Sequence, residues 1–300
     1  MMIVAIIQIR EVKYMNIIEL KSQKITAAIN LHGAELRSLK KDDREYMWQA
    51  DPAYWNRTSP VLFPFVGAVA DGVYRVDGTE YKMGQHGFAR DMDFELVSSD
   101  DVSCDFVLRS DDQTREKYPY DFELHIGYEL TESGIKVIWE TYNTGNKNLE
   151  FSIGAHPAFN CILSETSIRI MKDGKPVERF VNSVFGKGLL THEKKEISAA
   201  DGVMRLDEHS FDGDAYVIEN SQTDEVDILD SKGDKVLSVK YDSPLVGIWS
   251  PPGKNAPFLC IEPWYGRADK EGFNGDISER EWNNTLKPGD KFSCCYMIEV

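Results

Sequence analysis

The 300-residue chain lacks the roughly 18 consecutive apolar residues that a membrane span requires, so no stretch of it reads as a transmembrane helix. It also lacks the paired cysteine spacings of a zinc ribbon or a disulfide framework. Its five cysteines, Cys104, Cys161, Cys260, Cys294 and Cys295, are odd in number and contain no C-x-x-C. Reduced thiols and a cytoplasmic location are the simplest reading. Positive charge is in short supply: 34 Lys and Arg against 50 Asp and Glu leave a formal net charge of −16. That excess repels phosphate backbones and anionic lipid, which argues against nucleic acid or a membrane surface as partner. A local group of arginines could still hold a small anion. Helical periodicity is scarce, confined to a turn near Pro52–Asn56 and another near Ile277–Trp282.

The apolar run Met1–Ile9 has neither a basic n-region nor a small-residue cleavage site, so it fits a secretory signal poorly. Met15 opens a clean strand-like segment. Residues 1–15 therefore read as an N-terminal extension, and 16–300, which no repeat, low-complexity tract or linker interrupts, as a single domain.

What the sequence has in abundance is period-two alternation, the mark of strands with one buried face. Phe122, Leu124, Ile126, Tyr128 and Leu130 alternate with Glu123, His125, Gly127 and Glu129, and Ile135, Val137 and Trp139 begin a second such segment after a turn at Thr131–Gly134. Val73–Val76 and Thr79–Tyr81 flank Asp77-Gly78, a dipeptide suited to a tight hairpin. Val236–Tyr241 and Phe292–Val300 alternate as well. With 42% hydrophobic and 11% aromatic residues to fill a core, the pattern predicts an all-β protein, a large antiparallel β-sandwich.

Six histidines are few enough to weigh singly. His156, in Gly154-Ala155-His156-Pro157-Ala158-Phe159-Asn160, stands where Pro157 removes a ladder donor, at a strand end that can face a cleft. Phe159 beside it offers a ring on which a sugar could stack. His86, in Gln85-His86-Gly87-Phe88-Ala89-Arg90, precedes a glycine that lets backbone approach a ligand. His125 alternates onto a polar face, and His32, His192 and His209 lie in polar sequence. Glu262 follows the apolar run Ala256–Ile261 and precedes Pro263-Trp264, so it reads as a carboxylate at the end of a buried strand, with desolvation raising its pKa toward a useful base. A buried ion pair with an arginine is the structural alternative. Asp214, in Asp212-Gly213-Asp214-Ala215, sits at a turn-to-strand junction without the remaining ligands of a calcium loop.

Taken in order, Asn56-Arg57-Thr58-Ser59-Pro60-Val61-Leu62-Phe63-Pro64, the His86 and His156 segments, Gly213-Asp214-Ala215 and Cys260-Ile261-Glu262-Pro263-Trp264 resemble the aldose 1-epimerase (galactose mutarotase-like) family, most closely its LacX-like branch. The resemblance implies the β-supersandwich fold, no metal and no organic cofactor, and a small-molecule sugar as partner to a monomer or homodimer. It makes Glu262 the general base, His156 the general acid, and His86 and Asp214 substrate-holding groups. Arg57 and Arg90 match arginines of the branch that either touch the sugar or brace the site. One departure stands out: where related sequences usually carry an arginine after the glycine of Val66-Gly67-Ala68, this chain has Ala68, so Arg57, Arg75 or Arg90 would have to supply that contact.

The activity so implied is interconversion of the α and β anomers of an aldose, with ionised Glu262 and protonated His156 coexisting through mutual attraction. A hexose-6-phosphate epimerase, its phosphate held by Arg57, Arg75, Arg90 or Lys82, and a non-catalytic carbohydrate-binding protein are the alternatives. So is a metal site built from His86, His156 and Glu262.

Overall fold

The computed structural model describes residues 16–300, and the expected extension at 1–15 lies outside them. Two large antiparallel sheets dominate. The first has ten strands and at its centre carries Phe122–Leu130, Gly134–Asn143, Lys291–Glu299 and Lys235–Tyr241. Phe122–Leu130 follows its sequence pattern as far as its last residue: Phe122, Leu124, Ile126 and Tyr128 are buried, while Glu123, His125 and Glu129 are not, and Leu130 is half-buried. Its register against the next strand pairs Ile126 with Trp139, so both rings and branches project to one face. The expected hairpin at Asp77-Gly78 is present, joining Val73–Val76 to Thr79–Lys82.

The second sheet has eight strands, among them Val61–Leu62, Ile153–Ala155, Tyr216–Ile218, Leu245–Trp249 and Phe258–Tyr265. One large apolar core draws on both sheets, from Phe106, Trp139 and Ile298 of the first to Phe180, Ile248 and Ile261 of the second. Burial on this scale is the main stabilising term, at about 25 cal/mol for each Å² of apolar surface removed from water.

The strand Phe258–Tyr265 shows how this sheet builds a site. Leu259 and Ile261 enter the shared core. The alternate residues turn to the other face, where Phe258 and Cys260 belong to one small apolar cluster and Trp264 to another. Glu262 has the same parity, so it projects from the face away from the main core, at the seam between these clusters.

Helix is sparse, as expected, but differently placed. Pro52–Tyr54 is only a turn, Ile277–Glu279 is a single 3₁₀ turn, and among the described residues the α-helix is Asp112–Lys117. A reciprocal cap explains the last: Asp111 accepts from the Thr114 backbone N–H, and the Thr114 hydroxyl accepts from the Asp111 N–H. All five cysteines are free, and no helix among the described residues is long and apolar enough to cross a membrane.

Candidate active site

Strand pairing brings the two principal residues together. Gly154 pairs with Trp264 and Ala158 with Cys260, and counting inward along both segments in the same register puts His156 opposite Glu262. His156 Nε2 lies 3.4 Å from Glu262 Oε2, and both residues line a cavity of about 440 Å³, within the range of small-molecule pockets. Glu262 is not at a strand end: the strand runs on through Pro263 to Tyr265, because a proline removes one donor without stopping pairing at Trp264 and Tyr265. Opposite Glu262 on the neighbouring strand is Gly247, where an added Cβ would stand 2.4 Å from the Trp264 indole. Glycine there leaves room for that ring beside the carboxyl group.

Aromatic rings enclose the pair. Trp55 stacks on the His156 imidazole, centroids 4.7 Å apart at 30°, and Trp249 meets it edge-on at 5.3 Å. Both tryptophans line the cavity. Neither was singled out from the sequence, although Trp55 directly precedes the Asn56-Arg57 motif, a legible signal. Phe159 is corrected: its place in the Ala158–Asn160 strand turns it into the main core, fully buried, so it offers no stacking surface.

Burial sets the protonation of the pair against the expectation of two charges. It raises the Glu262 carboxyl well above its ordinary value, with the nearby Asp214 charge adding to the rise. Burial, and then the Arg90 charge, push His156 down to about 3. With little water to solvate either ion, burial favours an uncharged carboxylic acid beside an uncharged imidazole. Such a pair holds the same single proton as the ionic form. His156 Nδ1 and Glu262 Oε2 are both buried without a hydrogen-bond partner within the protein.

The remaining candidates converge on the same cavity. His86 has φ 68°, and its Nδ1 accepts from the Gly67 N–H at 3.1 Å. Burial holds the ring well below its ordinary pKa, so it is neutral, with its proton on Nε2 as a donor. The backbone here requires Gly87: an added Cβ would fall 2.2 Å from the Phe63 carbonyl oxygen. Asp214 lines the cavity with φ 76°, one oxygen accepting from the Ala215 N–H.

Arg57 and Arg90 line it too. Arg57 donates to Asp91 at 2.7 Å, and Arg90 donates to the Gln85 carbonyl while its Nε stands 3.8 Å from Asp91. Burial and the like charge of Arg57 bring Arg90 down to about 10. Buried Glu35 braces this side, accepting the Thr58 and Ser59 N–H groups with one oxygen. Arg75 is engaged elsewhere, with Glu80 and the Asn274 carbonyl, and neither it nor Lys82 lines the cavity. Of the cations that could compensate for Ala68, Arg57 and Arg90 are the ones in place. Ala68 itself is tied by its carbonyl to the Asp269 N–H.

A metal triad from His86, His156 and Glu262 does not assemble: among the described residues the donor atoms that cluster belong to His156, Cys260 and Glu262, all buried.

The two large antiparallel sheets are those of a galactose mutarotase-like protein. The aldose 1-epimerase family profile matches residues 16–295, and the chain belongs to that family. It is 32% identical over 296 residues to the chromosomal protein LacX of Lactococcus lactis subsp. lactis, covering 94% of this chain and 99% of that one. Among solved structures it is similar to a galactose mutarotase related enzyme from Lactobacillus acidophilus, with a TM-score of 0.88, 31% identity and coverage of 94% and 96%. A galactose mutarotase-like protein from Lactobacillus casei ATCC 334 gives a TM-score of 0.88 at 29% identity, covering 94% and 99%.

Proposed function

We propose that the chain is an aldose 1-epimerase that interconverts the α and β anomers of an aldose by general acid–base opening and closure of the ring. The observation that carries this reading is the 3.4 Å approach of Glu262 and His156 within one cavity. The hydroxyl and ring oxygens of a hemiacetal share one carbon, so an acid and a base that serve both must be close neighbours. Glu262 as carboxylate takes the proton from the C1 hydroxyl while protonated His156 delivers one to the ring oxygen. Rotation about C1–C2 and reversal of both transfers close the other anomer.

The uncharged resting pair already contains the proton this scheme uses. Passing it from Glu262 to His156 creates the active ionic form without uptake from solvent, and sugar hydroxyls bonded to the carboxylate favour that form. Neutral His86 donates through Nε2 to a sugar hydroxyl, and Asp214 accepts from one. Each positioned acid or base contributes on the order of a hundred- to ten-thousand-fold. Polarimetry on freshly dissolved α-glucose and α-galactose tests the reading, because a protein that only binds sugar leaves the approach to anomeric equilibrium at its spontaneous rate.

Arg57 and Arg90 favour a second reading of the substrate, an aldose carrying a phosphate. Two guanidinium groups on one wall, Arg57 near enough to depress Arg90, with Asp91 as the carboxylate between them, leave positive charge there for an anion. The same assay across free and phosphorylated aldoses discriminates: preference for the phosphorylated sugar that disappears in Arg90→Gln supports it, and equal rates on both forms reject it.

A further inference from the structure

We infer that His156, Cys260 and Glu262 form a binding site for one thiophilic divalent cation of the Zn²⁺ or Cd²⁺ type, and that its occupation blocks the acid–base pair. The inhibitory consequence rests on the proposed epimerase activity; the binding itself does not.

The geometry comes from the strand. Cys260 and Glu262 are two residues apart on Phe258–Tyr265, so their side chains leave the same face, and His156 reaches them from the facing segment. One donor atom from each of the three lies within 4.8 Å of the other two. Donors held by a tetrahedral ion at zinc distances stand roughly 3.4–3.6 Å apart. The His156 Nε2 to Glu262 Oε2 separation is 3.4 Å, so one edge of the tetrahedron is already formed. Rotation of the Cys260 side chain completes the other two.

Charge and chemistry agree with this geometry. A thiolate and a carboxylate neutralise a divalent ion, so a neutral unit replaces the separated charges that the apolar surroundings of Cys260 disfavour. Sulfur and imidazole select a borderline-soft metal over Mg²⁺ or Ca²⁺, and three protein donors leave a fourth position toward the cavity. Glu262 Oε2, which has no hydrogen-bond partner within the protein, gains one in the ion. Binding forms metal–sulfur, metal–oxygen and metal–nitrogen bonds and releases to solvent the Cys260 thiol proton and the Glu262 carboxyl proton. With Glu262 coordinated and the His156 lone pair engaged, neither can move a proton for a sugar.

Cd²⁺ titration of the full-length protein, followed by the ultraviolet thiolate-to-cadmium band, tests this without reference to turnover. The expected result is one ion per chain. Cys260→Ala and Cys260→Val, the second filling the sulfur's volume, each weaken binding by on the order of a hundredfold or more. Cys161→Ser leaves the band unchanged. In polarimetry, Zn²⁺ should stop the wild type, while the Cys260 variants keep their basal rate and resist the metal. A band of unchanged affinity in both Cys260 variants, or one abolished by Cys161→Ser, overturns the site. If no form of the protein accelerates mutarotation but the Cys260-dependent band is present, the proposed activity falls and the metal site stands.

Discussion

Replacing Glu262 with glutamine separates catalysis from folding in a single variant. The residue is 1% exposed, so an isosteric amide fits the same space without opening a cavity. It cannot accept a full proton from a C1 hydroxyl, and loss of one positioned base lowers turnover by on the order of a hundred- to ten-thousand-fold. Stability should move the other way. Because burial raises the folded-state pKa above the ordinary 4.5, the folded protein binds more protons than the unfolded chain as pH rises above that value. The wild type therefore loses stability with rising pH, by up to about 1.4 kcal/mol per pH unit, until the folded group itself ionises. The glutamine variant has no such loss. Urea unfolding at pH 4 and pH 8 should show it gaining on the wild type at the higher pH, while polarimetry shows the loss of rate. A variant that mutarotates within about tenfold of wild type removes Glu262 from the mechanism. One whose stability relative to wild type does not change with pH shows that Glu262 is not held protonated by burial.

His156 gives the opposite dependence. Held near 3 when folded against 6.5 when unfolded, it costs the folded state stability as pH falls through that window, about 3 kcal/mol by pH 4, and His156→Gln should lose that component of acid unfolding measured by urea titration. Because one proton serves the pair throughout the interval between the two shifted values, kcat should hold a broad plateau rather than a narrow bell, its acid limb displaced toward the value of about 3 that burial gives His156 and its alkaline limb displaced upward by the burial of Glu262. Trp55→Leu removes the π face against which the imidazolium forms during turnover; at about 0.5–2 kcal/mol the rate should fall roughly two- to thirty-fold, with Trp55→Phe recovering much of it. Gly247→Ala places a methyl group against Trp264 and should cost about 1–3 kcal/mol in urea unfolding, together with a change in near-ultraviolet circular dichroism as the indole moves.

Strand alternation made the sandwich legible without coordinates, because half-buried strands must repeat every two residues. Phe122–Leu130 and its hairpin partner fall where their pattern puts them. The segments around Arg57, His86, His156, Asp214 and Glu262 were likewise readable as motifs, and the structure gathers all five on one cavity. The helix at Asp112–Lys117 was not read, since its six residues are too few to show a period and only the Asp111–Thr114 cap betrays it.

What the chain alone could not decide is which side of a strand faces a cavity and which the core. Phe159 and Trp55 are both aromatic residues beside a motif, yet one is sealed between the sheets and the other lies on the His156 ring, because register and not composition assigns the face. The same holds for charge. Local sequence shows a histidine and a glutamate; only their burial together, 106 positions apart and 3.4 Å in space, makes the uncharged pair the stable one. Desolvation depends on everything packed around a group, and that is settled by the tertiary structure.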